Sequence, residues 1–355
     1  MNKVISLISA AVLTCLAMSA AIPSGYYSAL EGKKQSALKA AAKSAAASHK
    51  QVSYGDDTWD AFRQTDVRTV NGQKVWWDMY SNNNVSVSGG HGGLNIEHSV
   101  PNSWWGKTKN AAYCDLFHLN PSDSEANNRK SNYPLGIVAT VTYENGVTTV
   151  GKPAGGACGG ASYVFEPADE YKGDFARTYF YMFTIYDDIN WKSTMTDRNF
   201  MFDGSSYPSL RPWAYTMLLE WSKNDPVDEK ERNRNEAIYK IQGNRNPFID
   251  YPELAEYIWG SNQNEAFSTS GAVDPDPDPD PDPDPDGDEV ILQADKTSGF
   301  EKFTYDNVSM PSDASCIWKI DDCYGLVAGA YYNGKCHAAD AWAISPVLDL
   351  TESVA

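Results

Sequence analysis

Two stretches decide how this chain is read: Leu94-Asn95-Ile96-Glu97-His98-Ser99-Val100-Pro101-Asn102-Ser103-Trp104-Trp105, and Asp115-Leu116-Phe117-His118-Leu119-Asn120-Pro121-Ser122-Asp123-Ser124-Glu125-Ala126-Asn127-Asn128-Arg129-Lys130-Ser131-Asn132-Tyr133-Pro134. Histidine is scarce, with five in 355 residues, and His98 and His118 both fall here. Glu97 offers a hard oxygen ligand for Mg²⁺ or Ca²⁺. His98, with an ordinary pKa of ~6.5, can accept a proton from water near neutral pH. Neighbours on a regular strand face opposite ways, so Glu97 and His98 share a target only at a turn or an irregular strand end. Asn127 adds a neutral carbonyl oxygen. One carboxylate plus one amide leaves most of an octahedral shell to water and substrate phosphate, as Mg²⁺ is held at phosphoryl sites. Arg129 and Lys130 supply positive charge for phosphate oxygens. A lone Glu-His pair is commonly a surface accident. The second stretch changes that reading, because its Asn, Ser, Asp and Arg cluster is too polar for a core and too specific for a spacer.

These residues carry a family resemblance. Glu97-His98-x-x-Pro101 followed by Trp104, the run Asp115 through Asp123, Asn127, and Lys130 through Pro134 followed by Gly136 resemble the endonuclease I family, a branch of the His-Me finger (ββα-metal) nucleases. Ile22-Pro23-Ser24-Gly25-Tyr26-Tyr27, Lys172-Gly173-Asp174-Phe175-Ala176-Arg177 and Gln242-Gly243-Asn244-Arg245-Asn246-Pro247-Phe248 resemble further blocks, so that residues 22–262 are covered. The resemblance implies a β-hairpin and a helix crossing around one metal, within an α+β domain. It implies His98 as general base and Glu97 and Asn127 as ligands of Mg²⁺, with Ca²⁺ or Mn²⁺ as alternatives. It also implies cleavage of DNA, and of RNA, with little sequence preference and 5′-phosphate products. The family usually has arginine where this chain has Lys130, and here the arginine stands one residue earlier, at Arg129. Both are candidates for the phosphate. Arg177 and Arg245 either line the phosphate track or are buried ion-pair partners. His118 is expected to support the site by hydrogen bonding.

Outward from these stretches, Ser36–His49 and Trp59–Asp66 read as helices, Asn71-Gly72 as a turn, and Ile137–Tyr143 with Val147–Val150 as a hairpin. Aromatic and apolar residues at helical spacing predict helices over Asp174–Tyr186, Arg211–Ser222 and Glu229–Gln242, the last with Ala237, Ile238 and Ile241 turned inward. The domain ends near Gly260. Residues 263–288 form a linker whose Asp274–Asp286 run alternates Asp and Pro, which favours an extended spacer over a compact calcium cage. Residues 289–355 read as a small all-β module, short for a sandwich and incomplete or atypical. Its Trp342-x-Ile344-Ser345-Pro346 pattern weakly resembles jelly-roll accessory modules, which would bind glycan or a cell surface.

Net charge is −18, but nine acidic and no basic residues lie between Asp274 and Glu289. Residues 22–268 hold 24 basic against 29 acidic residues, a balance of −5, which does not exclude a local positive groove for nucleic acid. Met1-Asn2-Lys3, an uncharged apolar run from Val4 to Ala21 and the small residues Ser19-Ala20-Ala21 read as a secretory signal peptide (residues 1–21) with cleavage before Ile22. The run is near the lower length limit of a membrane anchor. No later segment is long and apolar enough to span a bilayer. A secreted or periplasmic monomer is expected, in a compartment that permits disulfides. Cys114–Cys158 is the one pair available within the first domain. The competing reading is an adhesin or surface-binding protein with a nuclease-like domain that has lost activity. A metallopeptidase lacks its His-Glu-x-x-His helix.

Overall fold

The computed structural model describes residues 22–191 and 201–271, together with the backbone of six short strands between residues 304 and 344. The expected signal peptide, the Asp-Pro run, Cys15, Cys316, Cys323 and Ser345-Pro346 lie outside the described residues. The chain divides into two units, Met1–Asp276 and Pro277–Ala355.

The first unit packs around helix α4, Lys172–Ile185, in which every residue from Gly173 to Ile185 except Thr178 is buried. Its aromatic residues join one hydrophobic core with Trp59, Trp76, Trp104 and Trp105. Gly173 is required at its position. A Cβ there would lie 2.0 Å from the Asp225 carbonyl oxygen, and its N–H donates to the Asp225 carboxylate at 2.7 Å. Helices α1 (Gln35–Ala46) and α2 (Asp56–Thr65) precede a hairpin of β1 (Val67–Val70) and β2 (Gln73–Trp76). Asn71 and Gly72 both take positive φ between these strands, as a tight hairpin turn demands.

Strand β3 (Leu94–His98) pairs antiparallel with β4 (Leu119–Asp123), and α3 (Ser124–Lys130) follows β4 without a gap. Three antiparallel strands come next: β5 (Thr140–Glu144), β6 (Thr148–Lys152) and β7 (Val164–Pro167), with β6 central. The first two are the predicted hairpin. The third is too short a run to be read from the sequence. Helix α5 (Pro212–Asn224) has proline in its first turn, and α6 (Glu229–Gln242) runs from an Asp228 cap to a left-handed Gly243. Short helices α7 (Pro247–Asp250) and α8 (Leu254–Ile258) follow, and the chain packs on past the expected domain end near Gly260: Phe267 is buried in the core, its N–H donating to the Lys33 carbonyl and its carbonyl accepting from the Gly32 N–H.

The buried face of α6 differs from the expected apolar one. Ile238 is enclosed, but Lys230, Glu231, Arg234, Asn235, Glu236 and Gln242 are buried with it. The reason is pairing: Glu231 meets Arg177, Lys230 meets Asp174, Arg234 meets Asp66, and Asn235 meets Asp250. Arg234 also donates to the carbonyls of Leu116 and Leu119 at 2.8 and 2.7 Å, fixing the entry to β4. Cys114 and Cys158 are both free thiols, so the disulfide considered for the first domain is not formed. In the second unit the described strands make three antiparallel pairs: β8 (Thr304–Ser309) with β13 (Asp340–Ile344), β9 (Trp318–Asp321) with β10 (Gly325–Ala328), and β11 (Tyr331–Tyr332) with β12 (Lys335–Cys336).

Candidate active site

The β3–β4 pair and α3 bring Glu97, His98 and Asn127 to one polar cleft of about 190 Å³. Glu97 and His98 occupy the last two positions of β3, opposite Asn120 and Leu119. A strand end is where two successive residues can turn toward one target, and both line the cleft. Helix α3 starts abruptly because the Asp123 carboxylate accepts the N–H groups of Glu125 and Ala126, each at 2.9 Å. Asp78 fixes that cap in turn by accepting the Asp123 N–H at 3.0 Å. Asn127 and Lys130, three residues apart, lie on the same helix face. Both reach Glu97: the Lys130 ammonium lies 2.7 Å from a Glu97 carboxylate oxygen, and the Asn127 side chain hydrogen-bonds the same carboxyl group.

Two partners define the His98 ring. Nε2 lies 3.0 Å from the Tyr113 carbonyl oxygen, and Nδ1 lies 3.1 Å from Nδ2 of Asn102. A carbonyl only accepts, so Nε2 carries the proton and the Nδ1 lone pair faces Asn102, which also lines the cleft. Tyr54 stacks over the ring at 5.4 Å, with an interplanar angle of 16°. Burial, followed by the nearby His118, pushes the His98 pKa well below its ordinary value, so the ring is neutral at neutral pH. Burial also raises the Glu97 carboxyl above its usual range, against the opposing pull of Lys130 and Asn127.

The remaining predicted residues separate by environment. Arg129 is exposed on α3, 3.3 Å from Glu125 and 5.2 Å over the Tyr143 ring. Lys130 is wholly enclosed. His118 is buried behind His98, 5.2 Å between ring centres, and donates from Nε2 to the Ala112 carbonyl at 2.6 Å. Its burial lowers its pKa to about 4. Arg177 and Arg245 take the second of the two places considered for them. Arg177 is enclosed by Glu231, the Ser222 side chain and the carbonyls of Ser222 and Asp225. Arg245 forks onto Asp250 with two 2.7 Å bonds and pairs with Glu236. Neither guanidinium is open to a phosphate, so a phosphate-track role does not fit their surroundings. Asn102, Tyr54, Asp78 and the Tyr113 carbonyl were not anticipated. Asn102 stands four residues after His98 in the sequence, but only the folded chain brings its side chain against the His98 ring.

The cleft's donors suit a hard divalent cation. Besides the His98 ring, the lining carries the Glu97 carboxylate, the carboxamides of Asn102, Asn127, Asn128 and Asn132 and the Ser131 hydroxyl, with no thiolate among them. Among the described residues no three His, Cys, Asp or Glu side chains converge as a metal-binding group, so a cation here would rest on one carboxylate and neutral oxygens.

The sequence matches the Endonuclease I family over residues 34–253. It is 36% identical over 242 residues to an extracellular ribonuclease of Bacillus subtilis (strain 168), covering 66% of this chain and 78% of that protein. Identity is 34% over 243 residues to an extracellular ribonuclease of Bacillus amyloliquefaciens, with the same coverage. It is 28% over 135 residues to an Endonuclease-1 of Buchnera aphidicola, covering 38% of this chain and 44% of that protein. The family match takes in β3, β4 and α3 with every residue that lines the cleft, and the chain belongs to the endonuclease I family of nucleases.

Proposed function

We propose that this protein is an exported, divalent-metal-dependent endonuclease of the His-Me finger type, which hydrolyses RNA and DNA with little sequence preference. The observation that carries the reading is the His98 ring. Its Nε2–H is committed to the Tyr113 carbonyl, and its unprotonated Nδ1 stands at the cleft that also presents Glu97 and Asn127. In this reading a water replaces Asn102 as the partner of Nδ1 and gives up a proton there as its oxygen attacks phosphorus. The phosphorus–O3′ bond breaks and the departing 3′ oxygen takes a proton from solvent water, leaving a 5′-phosphate and a 3′-hydroxyl. Glu97 and Asn127 would hold Mg²⁺, with Ca²⁺ or Mn²⁺ suited to the same oxygens, and the ion would supply positive charge to the phosphate and the departing 3′ oxygen. Arg129, the exposed cation of α3, would meet a neighbouring phosphate. Two relatives named extracellular ribonuclease support both RNA as substrate and export of the chain. Attack by water, rather than by a 2′-hydroxyl, is what extends the substrate to DNA.

The test is cleavage of RNA and plasmid DNA by the full chain, with Mg²⁺ and with EDTA, alongside His98→Ala. Metal-dependent cleavage of both, 5′-phosphate ends, and a loss of ~10²–10⁴-fold in His98→Ala are expected. Cleavage of RNA alone with 2′,3′-cyclic phosphate ends, or equal rates for wild type and His98→Ala, would overturn the assignment.

A further inference from the structure

The proposed metal site contains a resident cation of the protein's own. Lys130 lies 2.7 Å from Glu97, with its side chain fully buried and its ammonium 5.9 Å from the centre of the Phe165 ring. It is absent from the cleft lining, whereas Glu97 and Asn127 form part of it. Glu97 is therefore a wall between two compartments, with a fixed ammonium behind it and the open cleft in front.

We infer that Lys130 cancels the charge of Glu97 in the free protein, so that the divalent cation is captured together with a nucleic-acid phosphate and not ahead of it. This rests on the proposed placement of the metal at Glu97 and Asn127. The argument is a charge count. Glu97 contributes −1, Lys130 +1, Asn127 nothing, and His98 is neutral. No third acidic, His or Cys side chain joins them among the described residues. A dication entering from the cleft thus meets hard oxygen donors with no net negative charge, and all-protein sites of useful affinity depend on the number of charged ligands. Lys130 cannot step aside into solvent, because its side chain is enclosed and sits in the last turn of α3. The missing negative charge must arrive with the substrate. A phosphodiester supplies one, placed on the cleft side. Linkage then makes the effect reciprocal: the cation tightens the oligonucleotide by the same factor by which the oligonucleotide tightens the cation.

The coupling is measured on the full chain in a His98→Ala background, where bound oligonucleotide stays intact. Mn²⁺ binding is titrated by EPR, alone and with a single-stranded oligonucleotide carrying either phosphodiester or uncharged methylphosphonate linkages. With Lys130 present, the phosphodiester oligonucleotide is expected to tighten Mn²⁺ at least tenfold and the methylphosphonate to do so less than threefold. Lys130→Met should bind Mn²⁺ alone at least tenfold more tightly and lose most of the coupling, while Lys130→Arg should keep it. Equal Mn²⁺ affinity with and without oligonucleotide in the Lys130 protein overturns the inference, and this arm needs no variant to fold. So does a folded Lys130→Met with unchanged affinity and coupling, which would make Lys130 a structural partner only. Glu97→Gln separates the two levels. If Mn²⁺ binding ignores Glu97, the metal placement itself fails; if it depends on Glu97 without coupling to Lys130, only the present inference fails.

Discussion

The Asp78 carboxylate accepts the backbone N–H of Asp123 at 3.0 Å and so ties the loop after β2 to the residue that caps α3. The same carboxylate accepts from Tyr80 N at 2.7 Å and from the Ser81 hydroxyl at 2.6 Å. Asn127 is carried four residues beyond that cap, so Asp78 positions the cleft without touching it. Burial outweighs these donors and raises the Asp78 pKa from 3.8 to about 6. Because the folded pKa lies above the unfolded one, this carboxyl's contribution to stability is full below about pH 4 and is lost as pH rises through about 6. Asp78→Asn keeps the shape but turns a donor toward other donors, at a cost of ~1–3 kcal/mol. It also removes the titration. Its deficit against wild type is expected to be larger at pH 4 than at pH 7, by about 2–3 kcal/mol at 1.36 kcal/mol per unit of pKa shift. Urea unfolding at both pH values checks the sign, and a deficit that grows toward pH 7 would contradict it.

The Glu97–Lys130 pair predicts a separation of stability from activity. Removing one member of a buried pair leaves the other uncompensated, at ~3–5 kcal/mol, whereas replacing both by neutral groups of similar volume is far less costly. Glu97→Gln and Lys130→Met should each lower the melting temperature markedly. The double variant Glu97→Gln/Lys130→Met should recover most of that loss and yet remain inactive, because it lacks the carboxylate. A double variant whose melting loss equals the sum of the single losses would show that the two residues do not depend on one another.

Arg177 and Arg245 make the opposite prediction from Arg129. Arg177 spends its guanidinium on Glu231, Ser222 and the Asp225 carbonyl, and Arg245 on Asp250 and Glu236. Arg177→Met is expected to cost ~3–5 kcal/mol of stability. The activity per folded molecule and its salt dependence should stay within about twofold of wild type, in keeping with an interaction that substrate never meets. Lysine would not rescue the position, since it cannot reproduce the fork. A variant with normal stability and a flattened salt dependence would return Arg177 to the substrate path.

The parts of the fold that were legible are those with local causes. Helix α6 has the bounds that its apolar spacing predicts, Glu229–Gln242, and in the folded chain Asp228 caps it and Gly243 ends it. The hairpin of β5 and β6 follows from the turn residues between them. Its partner β7 was hidden, because four residues carry no period and their pairing with β6 is made across the intervening loop. The inner face of α6 has a related, non-local cause: Lys230, Glu231 and Arg234 join Ile238 there because Asp174, Arg177 and Asp66 are brought against them by other elements. At the site, Glu97, His98 and Asn127 stood out because their chemistry is compressed into short motifs. Asn102 and Tyr54 act only through the position of the folded His98 ring. The choice between Arg129 and Lys130 turns on helix register. Three residues from Asn127 return to the same face and two do not, so Lys130 faces Glu97 and Arg129 faces outward.

That division gives Arg129 a quantitative signature. Its guanidinium is held loosely, by an exposed i,i+4 pair with Glu125 and by the Tyr143 ring, and such a surface pair contributes at most ~0.5 kcal/mol to stability. Arg129→Ala should therefore melt within a degree or two of wild type. If it meets a phosphate, the variant loses one counterion-releasing contact, and the slope of log affinity against log salt becomes shallower by about 0.7–0.9. The loss should fall on KM, with kcat nearly unchanged, because a distant phosphate contact holds ground state and transition state alike. Single-stranded RNA and DNA should be affected equally, since the contact reads no base. An unchanged salt slope would remove Arg129 from the substrate path and leave the cleft without a cation of α3 facing the nucleic acid, as Lys130 is already committed to Glu97.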